Sequence, residues 1–413
     1  MSVLSHVPFR FLLAGRTVAA LGNAIAPVAL AFAVLDLTGS AGDLGLVVGA
    51  RMSAKVLFLL FGGAFADRMP KHLLMVGSGV AAAVTQGAVA ALVLTGTATV
   101  PLLIVLSAIN GMVAALALPA SSAILPQLVP AELRQRANGL SRMVFNGAYI
   151  VGAPAGGVLV ATAGPGWGIA IDALTFLLSA ACFAAVGVVA TPRSGKASIL
   201  TDLRAGWTEF RSRTWIWVVV SAFALINACL SGGFNVLGPL VAQHSVGRQA
   251  WGFVLGAQTV GMVLGAVVAM RIRARRVLFV GVLCTAFQVL PLLTLGVAPR
   301  SGLLLAAAFL AGFTIEQFIV AWETSMQEHV PADRLARVYS YDMVGSFVAI
   351  PVGQVAAGPI AEAVGVRPTL IGAAVLVGLA VLGMLASRDV RHLRHRLPDG
   401  EKAPAEPMEE LAA

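Results

Sequence analysis

Charge is scarce in this sequence. Asp, Glu, Lys and Arg make up 11% of its 413 residues, against roughly 25% in soluble domains. Such a chain cannot cover a water-exposed surface all round. Histidine is scarcer still. His6, His72, His244, His329, His392 and His395 all fall at the ends of apolar runs or between them, so no imidazole is available mid-run. The three cysteines, Cys182, Cys229 and Cys284, each lie inside an apolar run. An odd number at such positions makes neither a disulfide framework nor a metal-ligand spacing, and they read as small packing residues. There is no zinc motif, no P-loop and no glycine-rich dinucleotide loop between a strand and a helix. No cofactor, no metal site and no catalytic residue is expected. The apolar start carries Arg10 and Arg16 and lacks a small-residue cleavage site ahead of a long span. It predicts a retained first helix rather than a signal peptide.

What the chain does have is apolar residue, at 58%, with a mean hydropathy of +0.89. Twelve runs of membrane-spanning length fall at about 11–35, 44–66, 73–96, 99–125, 137–163, 167–190, 215–242, 249–270, 277–297, 302–328, 338–361 and 368–386. Several are interrupted by Gly or Pro, which membrane helices tolerate. The fold class predicted is all-α integral membrane, with twelve transmembrane helices in two pseudo-symmetric six-helix bundles. The expected division is a first bundle over 1–190, a polar, basic cytoplasmic linker over 191–214, a second bundle over 215–390, and a tail over 391–413. The linker's middle, 200–210, could form a surface helix, and the Pro/Glu/Ala-rich tail is expected to be disordered.

The net charge of +9 does not point to nucleic acid, because the basic residues are dealt out in small groups between apolar runs rather than gathered on one face. One set of loops holds only Arg248, Arg300 and Arg367. The other holds Arg68, Lys71, Arg134, Arg136, the linker bases, Arg271, Arg273, Arg275, Arg276, Arg334 and Arg337. That asymmetry predicts a multi-pass protein of the cytoplasmic membrane with both termini inside.

The halves resemble each other. Val129-Pro130-Ala131-Glu132 recurs as Val330-Pro331-Ala332-Asp333, and in the same register Arg136 meets Arg337, Gly152 meets Gly353, Gly157 meets Gly358 and Gly164 meets Gly365. The segments run the same way through the membrane, which makes a parallel repeat of six spans.

Between the second and third runs stands Gly63-x-x-x-Asp67-Arg68-x-x-Lys71. It resembles the loop 2–3 signature of the major facilitator superfamily, with Pro70 where Gly is usual and His72 where a base is usual. The resemblance implies a conformational latch of Gly63, Asp67, Arg68 and Lys71, with Asp342 as a partner for Arg68. In the fifth run, Gly152, Pro154, Gly156 and Gly157 are similar to the Gly/Pro signature of this superfamily's antiporters, shifted by one around Pro154. Wider likeness, in Asp36-Leu37-Thr38-Gly39-Ser40, Pro119-Ala120, Leu125-Pro126, Ala137-Asn138 and Ile171-Asp172-Ala173, is to the siderophore- and macrolide-exporting branch. The Arg-bearing fourth-span signature of many drug/proton antiporters is absent at Ile109-Asn110-Gly111-Met112.

Charges inside the runs are the places to look for chemistry. The basic ones are Arg16, Arg51, Lys55 and Arg142; the acidic ones are Asp172, Glu316, Glu323 and Asp342. Glu316 and Glu323 lie seven residues apart, on one helix face. With Asp172 they are the proton-coupling candidates, Glu316 first; permanent pairing of Glu316 with Lys55 or Arg51 is the open alternative. Arg16, Asn23, Asn227, Asn235, Gln258, Gln317 and Trp322 are the substrate-cavity candidates, with interhelical hydrogen bonding as the plainer role for each. The function expected is proton-coupled efflux of an amphipathic small molecule, the partners being that molecule, protons and the bilayer, in a monomer. Uptake of a small metabolite is the alternative. A membrane-embedded enzyme would need a nucleophile–base or metal constellation, and none is visible.

Overall fold

The computed structural model describes residues 3–66, 71–186, 210–271 and 274–394. Asp67, Arg68, the linker stretch 191–209 and the tail from 395 lie outside the described residues; of Gly63 and Lys71 only the helical backbone is described. Each expected apolar run falls on one long helix or on consecutive helical segments. They are α1 (Val7–Thr38), α2 (Ala41–Ala66), α3 (Lys71–Leu94), α4 (Val100–Leu128), α5 (Arg134–Ala163), α6 (Pro165–Ala184), α7 (Thr214–His244), α8 (Arg248–Ala269), α9 (Val277–Val297), α10 (Ser301–His329), α11 (Ala332–Phe347 and Ala349–Val364) and α12 (Val366–Ala386). Among the described residues there is no strand, as a hydrocarbon solvent requires of a chain that is not a barrel. The helices are apolar on both faces. Val84, Val151, Val352 and Leu382 are 61–65% exposed, which is the surface of a body immersed in lipid.

The helix boundaries follow from the repeated sequence. Val129 and Val330, each preceding a proline, are extended (φ −133°, ψ 143° and φ −107°, ψ 129°) and end α4 and α10, because the proline ring excludes the helical conformation from the residue before it. Gly164 and Gly365 take the same left-handed backbone, at φ +92° and +96°, between α5 and α6 and between α11 and α12. A side chain would be strained at either position.

The packing repeats too. In the first half α2 packs on α4, α3 on α4 and α6, and α1 on α5 and α6; in the second, α8 packs on α10, α9 on α10 and α12, and α7 on α11 and α12. Adding six to each helix number turns the first set into the second. The halves meet through α2 with α11 and α5 with α8, a pair of contacts that the same rule interchanges. Two six-helix bundles related by a pseudo-two-fold axis result.

Candidate functional site

The two main contacts between the halves, α2 with α11 and α5 with α8, are both made at the end of the bundle remote from the chain termini. On α5, a Cβ added to Gly157 would lie 2.9 Å from the Cα of Gly252 and 3.0 Å from the carbonyl oxygens of Arg248 and Gln249 on α8. Gly358 of α11, its mate in the repeat, backs onto Gly42 of α2 in the same way. The Gly/Pro stretch of α5 divides its work. Gly157 and Pro154 face the other half, Pro154 against Gly256, where an added Cβ would lie 2.6 Å from the ring. Gly152 and Gly156 face α1, where added Cβ atoms would lie 2.7 Å from the Cβ of Ala24 and 3.0 Å from the Cα of Ile25. Consecutive glycines at 156 and 157 let one helix approach two neighbours at backbone distance.

A clamp stands over this seam. Arg248, at the start of α8, donates Nη1–H to Asp36 Oδ2 at 2.8 Å and Nη2–H to Oδ1, and its guanidinium lies 5.2 Å above the Phe32 ring. The bidentate fork and the ring together fix the arginine between α1 and its own helix.

At the other end lies a cavity of about 540 Å³ whose lining comes entirely from α1–α6. Arg16 projects into it from the start of α1, Lys55 from α2 and Arg142 from the start of α5; Phe145, Tyr149, Phe176 and Phe183 supply aromatic walls. No carboxylate belongs to the lining among the described residues. Two polar groups there lack a partner among the described residues. Asn110 is 2% exposed and donates Nδ2–H to Thr85 at 3.1 Å, leaving Oδ1 unbonded, and the buried Ser141 Oγ has no bond either. Asn23 also lines the cavity and spends its amide N–H on Ala19 O at 2.8 Å. A mostly apolar concavity with a few convergent polar groups is suited to holding a small organic molecule.

The acidic candidates have separate surroundings. Asp172 on α6 is fully buried. Its Oδ2 accepts from Gln86 Nε2 at 2.5 Å, its Oδ1 has no partner, and Arg51 is the cation whose field reaches it. Glu316 on α10 is half-buried and feels Arg142 from across the halves and Glu323 from its own helix. No salt bridge joins it to Lys55 or Arg51 among the described residues. Glu323 is exposed. Asp342 accepts from Trp322 Nε1 at 3.0 Å and from Ser346 Oγ at 3.2 Å, so both its oxygens are engaged within the second half.

Of the seven substrate-cavity candidates, Arg16 and Asn23 line this cavity and the others do not. Gln317 donates to Gly265 O at 2.7 Å and Asn227 to Ser346 O at 2.9 Å, stitching helices of the second half. Trp322 is buried in a ring ladder with Trp215 at 5.4 Å and Phe318 at 6.0 Å. Gln258 sits where α8 packs on Gly312 of α10, and Asn235 is exposed on a π-helical turn, Ser231–Leu237. Sequence reasoning passed over Gln86, Asn110, Ser141 and the Asp36–Arg248 clamp. For Arg248 a signal existed: it is one of three bases on the side of the chain otherwise poor in them.

The sequence profile described as Major Facilitator Superfamily matches residues 12–353 and again 231–411. A protein named multidrug efflux pump Tap from Mycolicibacterium fortuitum is 27% identical over 403 residues, covering 92% of this chain and 95% of that one. A protein of the same name from Mycobacterium tuberculosis is 26% identical over 404 residues, covering 93% and 94%. Among solved structures, a bacterial homologue of the human lysosomal transporter Spinster, inward-facing and unoccupied, superposes with a TM-score of 0.72 at 15% identity over 96% of this chain and 99% of that one. A bacterial homologue of the iron transporter ferroportin, also inward-facing, gives 0.71 at 16% identity over 94% and 100%. With the profile spanning most of its length and the twelve-helix fold agreeing, the chain belongs to the Major Facilitator Superfamily.

Proposed function

We propose that this transporter is a proton-coupled exporter of a moderately large amphipathic molecule, such as a drug, macrolide or siderophore. It works by alternating access, as a monomer in the cytoplasmic membrane with both termini in the cytoplasm. The observation that carries the reading is the cavity of about 540 Å³ with aromatic walls, set toward the terminus-bearing end, while glycine seams and the Asp36–Arg248 clamp close the opposite end. With basic loops inside, that is an inward-open state awaiting cargo from the cytoplasm. The Tap relatives, named as multidrug efflux pumps, support export over uptake.

Proton coupling is assigned to Glu316. It is an ionisable group within a span, held at the boundary of the halves by opposing influences from Arg142 and Glu323, and a carboxyl so placed can gain and lose a proton as the halves rock. Expression in a pump-deficient host, with a panel of compounds and with or without a protonophore, tests the reading. Reduced accumulation that the protonophore abolishes is expected. Increased accumulation would make the protein an importer, and export indifferent to the protonophore would remove the proton.

A further inference from the structure

We infer that the cavity of the first half selects its cargo by negative charge, so that the substrate is an anionic amphiphile, a carboxylate or comparable oxyanion joined to an aromatic or apolar body. The inference rests on the exporter reading for the statement that this cavity is where cargo binds.

Three cations, Arg16, Lys55 and Arg142, enter one cavity from three helices, and no carboxylate among the described residues joins them in its lining. Neither Lys55 nor Arg142 is in salt-bridge contact with any described carboxylate. The fully buried acid Asp172 is already held by Gln86 and is not part of the cavity lining, and it couples electrostatically to Arg51 and Tyr149. Positive charge inside a span is costly without a counter-charge. Among the described residues no carboxylate lines the cavity beside Lys55 or Arg142; the carboxylate whose charge bears on Arg142 is Glu316, from the other half and not in salt-bridge contact with it, so a ligand anion can still take that place.

The rest of the lining fits the other end of such a molecule. Phe145 and Tyr149, with ring centroids 4.9 Å apart, stand one and two turns beyond Arg142 on the same helix, so an aromatic body can lie on them while its charge reaches the guanidinium. The unbonded Asn110 Oδ1 accepts from a substrate hydroxyl or amine, and Ser141 Oγ can donate or accept. A cavity built for organic cations would pair its aromatic walls with acidic groups, and among the described residues this one pairs them with bases instead.

Equilibrium binding to the purified full chain in zwitterionic phosphatidylcholine nanodiscs provides the test. Three probes share one ring system: anthracene-9-carboxylate, the cationic 9-(aminomethyl)anthracene and the neutral 9-anthracenemethanol. The carboxylate is expected to bind at least about tenfold tighter than the amine, and Lys55→Gln or Arg142→Gln to weaken it about tenfold. The neutral alcohol should bind all variants alike, which reports an intact fold, and Lys55→Arg should restore carboxylate binding. Equal affinity for the three probes, or a preference for the amine, overturns the inference. So does loss of carboxylate binding in discs containing phosphatidylglycerol, which would make a lipid headgroup the anion. Binding here needs no gradient and no turnover. A failed charge preference with intact export therefore sinks this inference alone, and failed export with an intact preference sinks the transport reading alone.

Discussion

Glu316 and Asp172 are both carboxyls within spans, and their surroundings separate what each can do. Glu316 is half-buried and touched electrostatically by residues of both halves; its charge state therefore bears on how the halves meet. Glu316→Gln is expected to abolish export driven by a pH gradient while protein in the membrane and binding of cargo persist. Full gradient-driven export by the mutant, measured in proteoliposomes, would take Glu316 out of the mechanism. Asp172 is tied inside one bundle by Gln86 at 2.5 Å. Gln86→Leu leaves that carboxyl buried without its donor, a loss of about 2 kcal/mol, and a clearly lower melting temperature of the purified protein is expected. An unchanged melting temperature would deny the bond any structural weight. The acids were legible in the sequence because a charge in an apolar run stands out. Gln86 was not, since a neutral amide leaves the run's hydropathy almost unaltered and its partner is 86 residues away. The polar candidates of the second half, Gln317 and Asn227, were visible as polar but not as interhelical donors. Composition shows that a group needs a partner; only packing shows which one it has.

At the scale of the helix, the glycine seams are the feature with mechanical consequence. α5 meets α8, and α2 meets α11, backbone against backbone at one end of the bundle only. Small residues let helices in lipid gain contact where no hydrophobic drive exists between them. Gly252→Leu places a side chain where a Cβ alone would lie 2.6 Å from Ala153 O and 2.8 Å from the Cα of Gly157. Such overpacking is worth roughly 1–3 kcal/mol against the closed seam, which corresponds to a population shift of about 5–150-fold. Spin labels at Ala163 and Arg300, exposed positions at that end, should report longer distances in the mutant. An unchanged distance distribution would mean that the seam does not hold the state. The twelve helices and the pairing of Gly157 with Gly358 could be read from the sequence, because run length and repeat register are one-dimensional. The partners Gly252 and Gly42 could not, because they depend on how two helices rotate toward each other.

For the whole molecule, alternating access requires that neither end be closed too firmly. The Asp36–Arg248 clamp is about one-third exposed, its side chains at 26% and 35%, so the ion pair contributes roughly 0.2–1 kcal/mol. Asp36→Asn should therefore shift the balance toward opening at that end by no more than about fivefold, less than Gly252→Leu does. At the opposite end, Asp67 and Arg68 are proposed to latch the halves in the alternate state, and Asp67→Asn is expected to slow turnover more than it weakens binding. If binding alone suffered, the latch would be the wrong reading. The two substitutions push one equilibrium in opposite directions from opposite ends, so their effects should add almost independently. The double variant should then turn over faster than whichever single variant leaves the balance further from even. Export rates in proteoliposomes at saturating cargo decide this: a double variant slower than both singles would show that the clamp and the latch do not act on a common equilibrium.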